Sequence, residues 1–204
     1  MADNPKVCRY MDIPLQHISD KVLDNMHRHV TGAWTRELIG KMRERVPGVV
    51  LRTTMIVGHP GEGKRDFNEL IEFVREARFE RLGAFKYSEE EGTYGAENFK
   101  DSISSRVKQE RLDELMTLQG EISLAFNQSR VGSLEKVIVD DFVDGILVCR
   151  SEFESPEVDG EILVRPDKDV IGDLDPYSLI GEFLMVRVTG ADEYDLIAEP
   201  VEIL

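Results

Sequence analysis

The stretch from Val49 to Glu62 limits the possible folds of this chain more than any other. Most residues from Val49 to Val57 are β-branched or leucine, the composition of a buried strand. The run breaks on Gly58-His59-Pro60-Gly61. From Arg65 onward the period changes, and Phe67, Leu70, Ile71, Val74 and Ala77 fall at helical spacing. The chain therefore reads strand, tight turn, helix. In a parallel α/β layout such a turn lies at the carboxyl end of its strand. Ligands bind there because backbone N–H groups and a helix N-terminus are exposed together.

One reading of the turn is a phosphate loop, because Gly58-His-Pro-Gly-Glu-Gly63-Lys64 has the G-x-x-x-x-G-K spacing. Arg65 stands where a hydroxyl should meet magnesium, and Pro60 removes an N–H from the loop. A Walker-B-like run, Val137-Ile-Val-Asp140-Asp141, falls in a different part of the chain. A nucleotide hydrolase is the weakest of the functions considered.

The pattern around this unit repeats its logic. Val7–Pro14 reads as a strand ending in Gln16-His17, and Ser19 as the cap of a helix carrying Val22, Leu23, Met26 and Val30. A second helix runs through Trp34, Leu38, Ile39 and Met42. Arg81–Tyr87 reads as another strand, and a helix follows over about 104–129. After Val131-Gly132 the period becomes that of short strands: Lys136–Val139, Gly145–Cys149, Glu161–Val164, Phe183–Val188 and Asp195–Val201. The expected architecture is a partial parallel (β/α) barrel over 1–131, then a small all-β barrel of the OB type over 132–204. Three parallel strands with a free outer edge make only part of a barrel, so the chain is expected to be a piece of a larger one.

Charge separates the same two parts. Between Ser133 and Leu204 stand nineteen Asp/Glu against five Lys/Arg, whereas residues 1–132 are nearly balanced. Nucleic-acid backbones are bound through Lys and Arg, so the acidic part is poorly suited to them and tRNA is disfavoured. Cys8 and Cys149 lack any framework or zinc spacing, which suggests a reducing, cytoplasmic setting. No apolar run reaches the length of a membrane span. His27 and His29, two apart on an expected helix, should diverge and share no metal.

Several stretches in order resemble the radical S-adenosylmethionine methylthiotransferases. They are Tyr10-Met-Asp-Ile-Pro-Leu-Gln-His17, Val22-Leu-Asp-Asn-Met-His-Arg28, Arg52–Glu62, Phe85-Lys-Tyr-Ser-Glu-Glu-Glu-Gly-Thr93 and Lys108-Gln-Glu-Arg-Leu112. The C-terminal barrel resembles that family's TRAM domain. Gln16-His17 and Arg150–Gly160 resemble the branch that methylthiolates an aspartate of a small-subunit ribosomal protein, more than the tRNA-modifying branch. The resemblance implies adenosylmethionine and two [4Fe–4S] clusters in the parent enzyme, a deoxyadenosyl radical that abstracts hydrogen, and sulfur delivered through the auxiliary cluster. The cysteines that would hold either cluster are missing, so this chain alone is expected to lack activity and catalytic residues, and to need the enzyme's N-terminal half. By the same resemblance Gly58, Gly61 and Glu62 shape the adenosine pocket, with Gln16, His17 and Ser88 at neighbouring strand ends. The glycines also read as plain turn residues, and His17 as a satisfied strand-end histidine. Gly63 stands where the family carries threonine, which is expected to loosen the helix cap. Glu152, Glu154, Glu157 and Asp159 are the expected docking residues for a basic ribosomal protein. A non-catalytic acidic binding module is the alternative from another functional class.

Overall fold

The computed structural model describes residues 1–204. Contacts divide the chain into two compact units, Met1–Pro5 with Met11–Ile122, and Lys6–Tyr10 with Ser123–Leu204. The division falls inside the long helix, because its last two turns group with the barrel and not with the α/β unit.

The first unit holds a three-stranded sheet in the order β1 (Tyr10–Asp12), β2 (Val50–Val57), β3 (Arg81–Lys86). β2 and β3 run parallel, with Arg52 opposite Arg81 and Ile56 opposite Phe85. Alternation along β2 buries Leu51, Thr53, Met55 and Val57. Leu51, Met55 and Val57 share a core with Ile39 of α2 (Gly32–Arg45), Phe67, Leu70 and Val74 of α3 (Lys64–Ala77), and Leu115 of α5 (Ser105–Arg130). The opposite face is less covered: Arg52, Thr54 and Ile56 are half-buried, and Phe85 is 62% exposed. A parallel strand normally has both faces covered, so this sheet keeps one face unfilled.

Helix α1 is shorter than its apolar pattern suggests. It spans Asp20–Asn25, and Ser19 makes no capping bond. The Ser19 hydroxyl instead donates to Asp66, and His27 adopts a left-handed φ of 60° just past the helix end. His27 and His29 therefore lie off any helix, and their rings meet edge-on at 5.1 Å instead of diverging. The cap of α3 is firm despite Gly63. The Asp66 carboxylate accepts the Gly63 N–H at 2.8 Å, the Ser19 hydroxyl and the Lys21 ammonium. A short helix α4 (Tyr94–Asn98) interrupts the acidic loop after β3.

The second unit is a closed barrel in the order β4-β5-β6-β8-β7. Its strands are β4 (Leu134–Val143), β5 (Ile146–Arg150), β6 (Ile162–Val164), β7 (Phe183–Ala191) and β8 (Leu196–Ile203), with the single-turn helix α6 (Lys168–Ile171) between β6 and β7. Val137, Val139, Leu147, Cys149, Leu184, Val186 and Leu196 fill the interior. A register shift between Val139 and Asp141 turns both Asp140 and Asp141 outward. Closure leaves this unit no free edge. Burial pushes the Cys149 thiol up to about 12, so this side chain behaves as core and not as a nucleophile.

Candidate functional site

β1 runs out beside β2 in a strained bend. The His17 N–H donates to the Leu15 carbonyl at 2.9 Å, closing a γ-turn on Gln16, whose φ is +70°. Bonds on both sides hold it, from the Gln16 N–H to the Thr54 carbonyl and from the Ile56 N–H to the Gln16 carbonyl, each 2.8 Å. Such a conformation costs about 1–3 kcal/mol and persists only where surroundings enforce it. The bend drives His17 fully inside, at 0% exposure.

His17 Nδ1 accepts the Ser19 N–H at 3.0 Å, so the ring proton sits on Nε2. Nε2 has no hydrogen-bond partner and lies 3.9 Å from Glu62 Oε2. Burial holds the imidazole down at about 4, with the nearby Asp66 carboxylate pulling the other way.

Glu62 is the centre of the turn. Its carboxylate accepts the N–H groups of Gly58 and His59, and its Oε1 accepts Arg111 Nη1 at 2.9 Å. Burial raises its pKa, and Arg111 and the two N–H groups oppose the rise. The two amides a phosphate loop would offer are already taken by an internal carboxylate. The Glu62 and Gly63 N–H groups are also taken, by the His59 carbonyl and by Asp66, so most of the backbone donors of a phosphate loop are already used. The His59 ring is likewise turned inward, with Nδ1 3.0 Å from the Pro60 carbonyl.

The sequence candidates Gln16, His17, Gly58 and Glu62 thus meet in one cluster at the carboxyl ends of β1 and β2. Gly61 caps the turn at φ +87° and faces solvent, with Asn25 where a Cβ would stand. Ser88 is exposed just past β3. Gly58 is required by helix packing: a Cβ there would come within 2.4 Å of Lys108 Cγ. Four residues that sequence reasoning left unassigned belong to this site. Ile56 and Phe85 stand side by side on the unfilled sheet face, and Lys108 and Arg111 bind the turns from α5. The Lys108–Leu112 motif was the available signal, but it carries no chemistry until α5 is folded back.

In the barrel the segment after β5 is heavily bonded internally. Glu152 pairs with Arg9 at 2.9 Å, Asp159 accepts the Tyr10 hydroxyl at 2.6 Å, and Glu154 is buried against Arg130. Arg130 also pairs with Glu135 at 2.6 Å and lies between the Phe126 and Phe153 rings. Of the four expected docking carboxylates only Glu157 is well exposed, on a residue of φ +63°.

Two family models match separate parts of the chain. Residues 1–74 match the model of the Radical SAM superfamily, and residues 131–201 match the TRAM domain. A solved structure of similar fold is coproporphyrinogen III oxidase (HemN) of Escherichia coli, described as a radical SAM enzyme. Its TM-score is 0.50 at 15% identity, over 88% of this chain and 41% of that one. The α/β part is thus similar to radical SAM enzymes and the barrel to TRAM domains. Among curated sequences, the ribosomal protein uS12 methylthiotransferase RimO of Phocaeicola vulgatus is 52% identical over 97% of this chain and 44% of its own length. Its counterpart from Porphyromonas gingivalis is 51% identical over 99% and 45%, and that from Flavobacterium johnsoniae 44% over 98% and 44%. Over nearly its whole length the chain is thus similar to the RimO-like branch of the radical S-adenosylmethionine methylthiotransferases. It spans less than half the length of these curated relatives.

The family carries adenosylmethionine and iron–sulfur chemistry. The residues of this chain do not fit a cluster. Cys8 is exposed, Cys149 lies in the barrel core, and no three His, Cys, Asp or Glu side chains are placed to hold a metal ion. They do fit part of an adenosyl site, because the exposed Phe85 ring and Ile56 offer an apolar shelf beside the 58–62 turn.

Proposed function

We propose that this chain supplies one wall of the adenosylmethionine pocket and the protein-docking barrel of an enzyme that methylthiolates an aspartate of a small-subunit ribosomal protein. The observation that carries the reading is the unfilled sheet face, with Ile56 and Phe85 at its carboxyl end beside a turn whose own polar groups are satisfied. An apolar, water-shedding wall next to a rigid turn suits a nucleobase, which stacks on flat apolar surfaces. In the reading, three strands complete a (β/α) barrel with the strands of the parent enzyme's other half, and Gln16, Gly61 and Ser88 line the rim. Bound adenosylmethionine supplies hydrogen abstraction; the protein's part is to hold and orient it and exclude water. His17 and Glu62 act underneath, keeping the turn in shape.

The acidic barrel serves substrate recognition. Its field attracts Lys/Arg-rich protein surfaces and repels phosphate, which favours a basic ribosomal protein over tRNA. Since Glu152, Glu154 and Asp159 are bonded internally and Asp140 is paired with Arg150, Glu157 and the outward Asp141 carry the docking.

The test is calorimetric titration of the chain with S-adenosylhomocysteine, an unreactive form of the ligand. Binding is expected, weakened about tenfold by Phe85→Ala, since losing a stacked ring costs roughly 1 kcal/mol or more. Binding that Phe85→Ala leaves unchanged would remove this wall from the pocket.

A further inference from the structure

We propose that Lys108 and Arg111 on α5 are positioning residues, which fix the turns after β2 and β3 as one body and so set the shape of the pocket floor. The inference rests on the adenosylmethionine reading for its purpose but on geometry for its substance. Residues three apart on a helix share a face. From that face each cation reaches a different turn.

The Lys108 side chain is 8% exposed. Its stem lies across Gly58, close enough that only glycine fits beneath it. Its ammonium continues to the other turn, donating to the Tyr87 carbonyl at 2.9 Å and to Asp101 at 2.6 Å, with the Tyr87 ring 5.0 Å away. The Tyr87 N–H in turn donates to the Val57 carbonyl at 2.8 Å, so Lys108 spans residues already joined through the strand ends. Arg111 holds the first turn from the other side. Its Nη1 donates to the Glu62 backbone carbonyl at 3.2 Å and to the Glu62 carboxylate at 2.9 Å. That carboxylate then orients the Gly58 and His59 amides. A chain of bonds thus runs from α5 through Arg111 and Glu62 to Gly58, and returns through Lys108 to Tyr87 and Asp101. Buried charge-assisted bonds of this kind are the strong ones, and removing one partner strands the other. Neither cation points its charge at the unfilled sheet face through any of these bonds, so their effect on a ligand there passes through the turns.

Because Arg111 uses one nitrogen for both bonds, a lysine can replace it, whereas methionine cannot. Lys108→Met keeps the stem on Gly58 and deletes the ammonium. The experiment is amide hydrogen exchange on the full chain, paired with S-adenosylhomocysteine titration. In Arg111→Met, exchange at Gly58 and His59 should quicken at least tenfold, and Arg111→Lys should restore it. In Lys108→Met, quickening should centre on residues 87–101. Exchange in α3 and in the barrel should stay as in the unaltered chain, and ligand affinity should fall several-fold in both methionine variants. Unchanged exchange at both turns, acceleration spread evenly over the α/β unit, or Arg111→Lys behaving like Arg111→Met would overturn the proposal. If the unaltered chain binds no S-adenosylhomocysteine while the local exchange pattern appears, the clamp stands and the adenosylmethionine reading fails.

Discussion

His17 shows how one buried group makes acid pH costly. In the unfolded chain a histidine takes up a proton near 6.5, whereas burial holds His17 down to about 4. The unfolded state therefore binds more protons between those values. Stability is complete above about 6.5 and falls as pH drops toward 4, by roughly 3 kcal/mol at about 1.4 kcal/mol per pH unit. Glu62, whose pKa burial raises, works in the opposite direction within the carboxylate range. Comparison with a His17→Gln variant isolates the imidazole. Urea midpoints at pH 7 and pH 4.5 should differ markedly for the unaltered chain and much less for His17→Gln. Equal differences would mean that His17 is protonated inside the fold. Gln16 teaches a related lesson, since its φ of +70° suits glycine better than any residue with a side chain.

At the level of elements, β3 is the least protected. It is an edge of the three-stranded sheet, and Phe85 on it is 62% exposed beside half-buried Ile56. An open apolar edge offers unpaired backbone groups and a water-exposed ring to another copy. The chain is expected to self-associate in sedimentation runs as its concentration rises, and Phe85→Lys, which places a charge on the edge, should shift it toward monomer. A monomer at all concentrations, identical in both forms, would show that the face is adequately solvated. The barrel has no such weakness, because pairing of β4 with both β5 and β7 closes it. α3 likewise gains its firmness from Asp66, three residues into the helix and bonded to Gly63, Ser19 and Lys21.

For the whole molecule, charge is the dominant property: −15 overall, nearly all of it in the last third of the chain. Fields of this kind raise association rates and select partners, and they are screened within about 8 Å at 0.15 M salt. The chain should bind a basic small-subunit ribosomal protein at low salt, lose most of that binding by about half-molar salt, and ignore tRNA at both. Glu157→Lys should weaken the contact without altering the melting transition, because Glu157 is exposed. Glu154→Lys should instead lower the melting temperature, because it sets a cation against buried Arg130. Binding indifferent to salt, or tight binding of tRNA, would leave the acidity as plain surface.

Much of this protein was legible in the chain itself. β2, α3, β3, α5 and the five barrel strands appear close to where periodicity and turn residues put them, because a strand or helix pattern is carried by neighbouring side chains. The unequal charge of the two parts is also a property of the sequence alone. The tertiary structure decided which of those charges are available and which are bonded. Arg9 meets Glu152 across 143 residues, and Arg111 meets Glu62 across 49, pairings that no local pattern contains. It also decided why Gly58 must be glycine, since Lys108 arrives from a helix fifty residues further on. The γ-turn at Gln16 has the same origin: a strained backbone is chosen only when bonds from another strand and a buried neighbour outweigh the local preference.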